Sequence, residues 1–147
     1  MNKKGFTLIE LLIVIGIIAI LAAVVIVALN PGRQFAQARN TQRSSNVNTI
    51  LNAVGQYMAD NNGNLPSAIS DLAADTVTEV CQTDGSCAGL VDLSVLTNNE
   101  IYLISIPIAP QASTTNGTGY SVWRTSNNRV GVTARDAELS QKITVKR

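Results

Sequence analysis

The chain predicts an α+β fold: a long N-terminal helix, apolar in its first half and amphipathic in its second, packed on a small antiparallel sheet. Three observations carry this. Residues 6–29, FTLIELLIVIGIIAILAAVVIVAL, are almost unbroken aliphatic sequence with one carboxylate, Glu10. Residues 33–60 space their apolar side chains at helical intervals. Beyond residue 100, short alternating segments rich in β-branched and aromatic residues are divided by Gly, Asn and Pro.

Length and composition bound the function. Once the apolar run is set aside, a chain of 147 residues leaves room for one small globular domain. The formal net charge is +1, and without Lys3 and Lys4, which precede the run, it becomes about −1. That balance argues against a nucleic-acid footprint. The chain has no His, so the commonest general base and metal ligand is missing. With no nucleophile and base placed to act together, no enzyme is predicted. Cys81 and Cys87 are separated by five intervening residues that include an Asp84-Gly85 turn signal. Two ligands make a poor zinc site and the C-x-x-C redox spacing is absent, so a small structural disulfide is predicted. A disulfide places this part of the chain outside the cytoplasm.

As a helix, the apolar run is roughly 36 Å long, enough to cross a bilayer core of about 30 Å with some tilt. A secretory signal has an apolar region of only about 7 to 15 residues followed by a small-residue cleavage site. This run is too long, and Ala22-Ala23 leads into more apolar residues, so cleavage behind it is not expected. Lys3 and Lys4 hold the N-terminus in the cytoplasm, which gives a single span with the C-terminal part outside. Glu10 is the exception within the run. An acid at the centre of a spanning helix costs roughly 2.5 to 3.5 kcal/mol on insertion scales, and such groups usually have a partner.

The residues Lys3-Lys4-Gly5-Phe6-Thr7-Leu8-Ile9-Glu10 resemble the class III signal of type IV pilins and type II secretion pseudopilins. The resemblance implies cleavage of Gly5-Phe6 on the cytoplasmic side by a prepilin peptidase and methylation of the new N-terminal Phe6. It also implies that Glu10 pairs with the N-terminal amine of a neighbouring subunit in an apolar filament core. A carboxylate in the first turn suits the helix dipole as well. Losing one member of such a buried pair costs about 3 to 5 kcal/mol, so Glu10 acts as a register device for assembly.

Gly16 within the run is read as mild packing against a neighbouring helix. Asn30-Pro31-Gly32 interrupts the helical pattern, since proline removes a backbone donor and clashes one turn back. The family commonly carries such a proline somewhat earlier; here a helix break is expected at Pro31 and Gly32. From Arg33 to Asp60 the helix resumes, with Phe35, Ala38, Val47, Ile50, Leu51, Val54, Tyr57 and Met58 on one face. Arg39, Gln42, Arg43, Asn46, Asn48 and Gln56 take the other side. Arg33, Arg39 and Arg43 are read as a basic face that is solvated or meets lipid headgroups. Gly63, in Asn61-Asn62-Gly63-Asn64, is placed to cap the helix in the left-handed conformation. The stretch YMADNNGNLP, residues 57–66, resembles the family's junction between spine and head.

In the head, Ser67 to Ala74 predicts a helical turn or two capped by Ser67 or Ser70. Val80 to Val91 predicts a hairpin or loop pinned by the two cysteines, lying before the sheet. Leu93 to Leu96 predicts another turn. Ile101 to Pro107 reads as an edge strand or extended segment because it ends in proline. Gly119 to Thr125 and Val130 to Ala134 predict paired strands across residues 126–129, with Ile143 to Val145 as a third. The predicted core is Val47 to Met58 with Tyr102, Ile104, Tyr120, Val122, Val130 and Val132, and Trp123 on either face. Asn116-Gly117-Thr118 fits a glycosylation pattern but is read as a turn. Some pseudopilin heads bind calcium in their C-terminal loops, and by that resemblance Asp84, Asp92, Asp136 and Glu138 are the candidate calcium ligands; they lack EF-type spacing, so no metal is assigned and no other cofactor is predicted.

The resemblance therefore implies a pilin-like fold divided into a leader at 1–5, a transmembrane and filament-core helix at 6–29, an amphipathic spine and junction at 30–66, and a globular head at 67–147. It implies a structural subunit of a type IV pilus-like filament. The alternatives are a pseudopilin of a type II secretion system, or a minor or competence pilin that binds DNA or a surface. Arg124, Arg129, Arg135, Lys142, Lys146 and Arg147 are the candidates for a DNA-binding stripe, although a solvated surface is the reading adopted and no nucleic acid is expected. The implied partners are copies of itself and other pilin-like subunits, the prepilin peptidase, an inner-membrane assembly platform, and lipid before assembly. The implied location is the bacterial inner membrane, followed by an extracellular or periplasmic filament.

Overall fold

A computed structural model describes residues 5–112 and 115–147 of the chain. Lys3 and Lys4 lie outside the described residues. The molecule divides into two compact units, Met1–Ala36 and Gln37–Arg147.

In the first unit, helix α1 spans Leu8–Leu29. Thr7 caps it in an extended conformation, and Asn30 ends it in the left-handed region at φ 43°. Both properties of Asn30 follow from its chemistry and its neighbour. Asn tolerates the left-handed conformation better than most side chains, and Pro31 disfavours the right-handed helix at the residue before it. Pro31 then opens α2, Pro31–Asp60. Proline suits a first helical position, where the missing N–H has no helical partner to lose. Asn30 also serves the new helix, its carbonyl accepting from the Arg33 amide at 3.0 Å. The interruption thus falls at Asn30, and Pro31 and Gly32 are already helical.

In the second unit, α2 ends where Gly63 adopts φ +84° and its amide reaches back to the Met58 carbonyl at 2.8 Å. A short helix α3, Ser67–Ser70, follows Pro66, which caps it without a side-chain hydrogen bond; the Ser67 or Ser70 cap expected from the sequence is not formed. Four strands, β1 Thr78–Cys81, β2 Gly117–Arg124, β3 Val130–Ala134 and β4 Ile143–Lys146, make one sheet in that order. All three pairings are antiparallel.

One face of the sheet packs on α2. Tyr120, Val122, Val132 and Ala134 share a core with Val47, Ile50, Leu51 and Val54 of the helix. The opposite face carries a polar row, in which Ser121 pairs with Thr133 and Thr133 with Thr144. Trp123 lies over Gly131 on that outer face, where a Cβ on residue 131 would come within 2.1 Å of the indole ring. The period-2 alternation of the strands thus decides which side meets the helix.

Several expectations are corrected. Arg43 and Asn46, read as solvent-facing, are 1% and 8% exposed. Ile104, placed in the core, is 79% exposed, and Phe35 on the expected apolar face is exposed as well. Residues 101–107 form no strand, because Pro107 and Pro110 deny the segment amide donors where a ladder needs them. The additional strand is Thr78–Cys81, so Cys81 lies within the sheet and not ahead of it. Gly117 and Thr118 are not a turn; they open β2, and the Thr118 hydroxyl donates to the Val80 carbonyl at 3.0 Å.

Candidate assembly helix and the latch of the head

The first turn of α1 is a capping box. Glu10 Oε2 accepts from the Thr7 amide at 2.7 Å and from the Thr7 hydroxyl at 2.8 Å, while the Glu10 amide donates to Thr7 Oγ1 at 3.3 Å. Thr-x-x-Glu before an apolar run is the sequence signature of this arrangement, a local signal that a reading of Glu10 by its charge alone misses. The box satisfies helix-end donors that otherwise have no intrahelical partner. Glu10 is thereby aimed and accessible at the start of the helix.

None of the 22 residues of α1 is buried within the chain. This is the one described helix long and apolar enough to cross a membrane. Phe6, immediately before it, is 83% exposed. A contiguous apolar surface of this size on a soluble protein is far beyond what monomers leave uncovered, so lipid or other helices must cover it. Side chains all round the helix are aliphatic, which suits full immersion better than docking on one face. Gly5 stands in open space ahead of it, with no atom within 4 Å of where a Cβ would be.

The second constellation lies in the head and was not foreseen. Glu138, between β3 and β4, takes Arg39 on both carboxylate oxygens, at 2.7 Å from Nε and 2.5 Å from Nη2. Arg43 reaches the same carboxylate through Nη1 at 2.8 Å and the Pro110 carbonyl through Nη2 at 3.0 Å. Asn40 binds the backbone of Glu138 in both senses, its amide donating to the carbonyl at 2.8 Å and its oxygen accepting from the amide at 3.0 Å. Hydrogen bonds from Arg39, then Arg43, hold the Glu138 carboxyl down to about 2. The same contact raises the Arg39 guanidinium above its ordinary value. Of the basic residues read as solvated or facing lipid headgroups, Arg39 and Arg43 instead form a latch that ties the loop after β3 to α2, and Arg33 stays outside it. Of the carboxylates weighed as metal ligands, Glu138 is committed to this latch. Among the described residues, no group of three or more His, Cys, Asp or Glu is placed to hold a metal.

Cys81 and Cys87 are joined in a disulfide, with Cα atoms 5.3 Å apart. Of the six residues weighed as a basic stripe, Arg135 pairs with Glu79 at 2.9 Å, Arg124 Nε donates to the Leu72 carbonyl at 2.7 Å, and Arg147 donates to Asn52 at 2.8 Å.

Comparison with known proteins bears on the N-terminal part. Residues 1–26 match the model of the prokaryotic N-terminal methylation motif. The chain is 51% identical over 61 residues to the type IV wide pilus major component PilA4 of Thermus thermophilus. That match covers 42% of this chain and 45% of the relative. No solved structure matches. The family that this chain resembles, on the motif of its first 26 residues and on the PilA4 match, is that of the type IV pilins.

Proposed function

We propose that the chain is a structural subunit of a type IV pilus-like filament, made as a single-span membrane protein and polymerised through residues 6–29. The observation that carries this is α1: a helix aliphatic on every side, buried nowhere in its own chain, with its one acid at the entry turn. An ordinary anchor accounts for the aliphatic surface and asks of Glu10 no more than its capping box with Thr7. In a filament core, Glu10 meets the α-amine that cleavage at Gly5-Phe6 creates on the next subunit, and the pair enters apolar surroundings together. The exposed Gly5 and Phe6 fit access by a prepilin peptidase, and methylation of Phe6 follows on the same family reading.

The pilus is preferred to the secretion pseudopilus because the relative is by its name a pilus major component. The Cys81–Cys87 disulfide supports a head that matures outside the cytoplasm. Leader residues 1–5, the inner membrane as first location, an assembly platform and an extracellular filament complete the reading.

Two variants of the full chain test it, in cells that process and assemble it. A bulky residue at Gly5 leaves the leader attached, measured as an unchanged precursor mass. Glu10→Val is inserted and cleaved, yet contributes little to sheared filaments. Normal filament yield from Glu10→Val removes the charge-pair argument.

A further inference from the structure

Two surfaces, an unfilled apolar depression and an exposed aliphatic segment, lie on opposite flanks of residues 37–147. One is an open depression of about 210 Å³ between α2 and the ends of β3 and β4. Its floor is Leu51, Val54, Met58 and Val130, and Arg129 and Arg147 stand on its rim. Gly55 leaves it unfilled, since a Cβ there would meet no atom within 4 Å. The other surface is the segment 100–104, which presents Glu100 beside two outward aliphatic side chains, Ile101 at 62% and Ile104 at 79% exposure.

That segment is held in place. Tyr102 donates to Asp60 at 3.0 Å and packs edge-on against Tyr57 with ring centroids 5.8 Å apart. Asn99 and Glu100 both have positive φ, 52° and 57°. Around α2, Gly55 of the depression and Tyr57 beneath the segment are two residues apart, about 200° of helix. One molecule therefore cannot bring the two surfaces together.

Charge is sorted the same way. Residues 44–123 contain no Lys or Arg and seven acids, whereas residues 124–147 contain six basic residues and two acids. Those two acids include Glu138, already paired with Arg39 and Arg43. The side chains of Arg129 and Glu100 are exposed, and neither has a hydrogen-bond or ion-pair partner among the described residues.

We propose that the depression of one subunit receives the Glu100–Ile104 segment of a second copy, with Ile101 or Ile104 on the apolar floor and Glu100 at the Arg129–Arg147 rim. The contact joins two different patches, so it does not close on itself as a two-fold dimer does and propagates from copy to copy. It rests on the filament reading above and supplies that filament with a lateral head-to-head contact whose direction is fixed by charge.

The test uses the full chain in cells that assemble it, with sheared filament yield as readout and Cys81–Cys87 oxidation as the check on folding. Glu100→Arg and Arg129→Glu each lower the yield about tenfold or more, because like charges then face each other across the contact. The double variant Glu100→Arg with Arg129→Glu returns to within about twofold of the unaltered chain, since opposite charges meet again. Gly55→Leu fills the depression without changing charge and lowers the yield while the head remains folded. Undiminished yield from either reversal overturns the proposal. So does a double variant no better than its single parents, which assigns the depression to some other partner. Failure of this contact is separable from failure of the filament reading: filaments from the unaltered chain that Glu10→Val abolishes keep that reading whatever the head variants do. Absence of any filament from the unaltered chain overturns both.

Discussion

Arg43 shows how far a side chain's surroundings can depart from its place in a helical pattern. Its charge and its polar neighbours put it on the solvent side of α2, yet it is almost fully buried because Glu138 and the Pro110 carbonyl come to meet it. Nothing local announces this: the partners are 95 and 67 residues away. The latch has a pH signature. The Glu138 carboxyl has an ordinary value of 4.5 and is held at about 2 in the fold, so it binds its proton less readily folded than unfolded. Its contribution is complete above about 4.5 and is lost as the pH falls towards 2. Thermal unfolding of the chain from pH 6 down to 2 is expected to show falling stability across that interval, and Glu138→Gln to be less stable at pH 6 with a flatter acid limb. An unchanged acid limb in the Gln variant removes the latch from the account. Gly55 gives the opposite case. It sits inside a helix with open space where a Cβ would go, so Gly55→Ala is expected to raise stability by about 0.5 to 1 kcal/mol, read from the denaturant midpoint.

The elements were legible to different degrees, and the difference has physical causes. Residues 8–29 and 31–60 announce themselves because a helix is specified by local periodicity and by its ends, here Asn30-Pro31 and Gly63. β2, β3 and β4 alternate and are joined by short connections, so they too were readable. β1 was not: Thr78–Cys81 is four residues long, and its partner in β2 lies about 40 residues on, joined by irregular chain. Residues 101–107 have the composition of a strand, but proline spoils the pairing and the aliphatic side chains end up outside. At the candidate site, Glu10 and the Gly5-Phe6 junction were visible because a local motif carries them, whereas the Arg39–Glu138–Arg43 latch exists only once β3 and β4 are in place. The disulfide joins the end of β1 to the loop that returns to Val91, which pairs with Val80 as an isolated bridge. Closing so short a loop is worth about 2 kcal/mol in the chain-entropy account. The double replacement Cys81→Ser with Cys87→Ser is expected to lower stability by about that amount in urea titrations. A loss well under 1 kcal/mol means that the β1 edge is held by its ladder alone.

At the scale of the molecule, the exposed apolar surface is distributed very unevenly. Beyond Leu29, the large exposed apolar side chains among the described residues are Phe35, Val77, Ile101, Ile104, Ile108 and Leu139, with Ile101 and Ile104 together on the 100–104 segment, whereas residues 8–29 are exposed throughout and aliphatic but for Glu10 and Gly16. The core of the second unit is complete without that helix: its α2 residues begin at Val47, and the latch on Arg39 and Arg43 starts after Ala36. Residues 37–147 contain every strand, the disulfide and all three described ion pairs. A fragment of residues 37–147 is therefore expected to be soluble without detergent and to unfold in one cooperative transition, as single domains of this size generally do. Trp123, held over Gly131, reports on that transition by fluorescence, and the Tyr57–Tyr102 pair reports on the helix and the 100–104 segment by near-ultraviolet dichroism. Coincident midpoints from the two signals bear out a self-sufficient head. Separate midpoints, or a fragment that needs detergent to stay in solution, mean that the first 36 residues contribute to the fold of the head as well as to assembly.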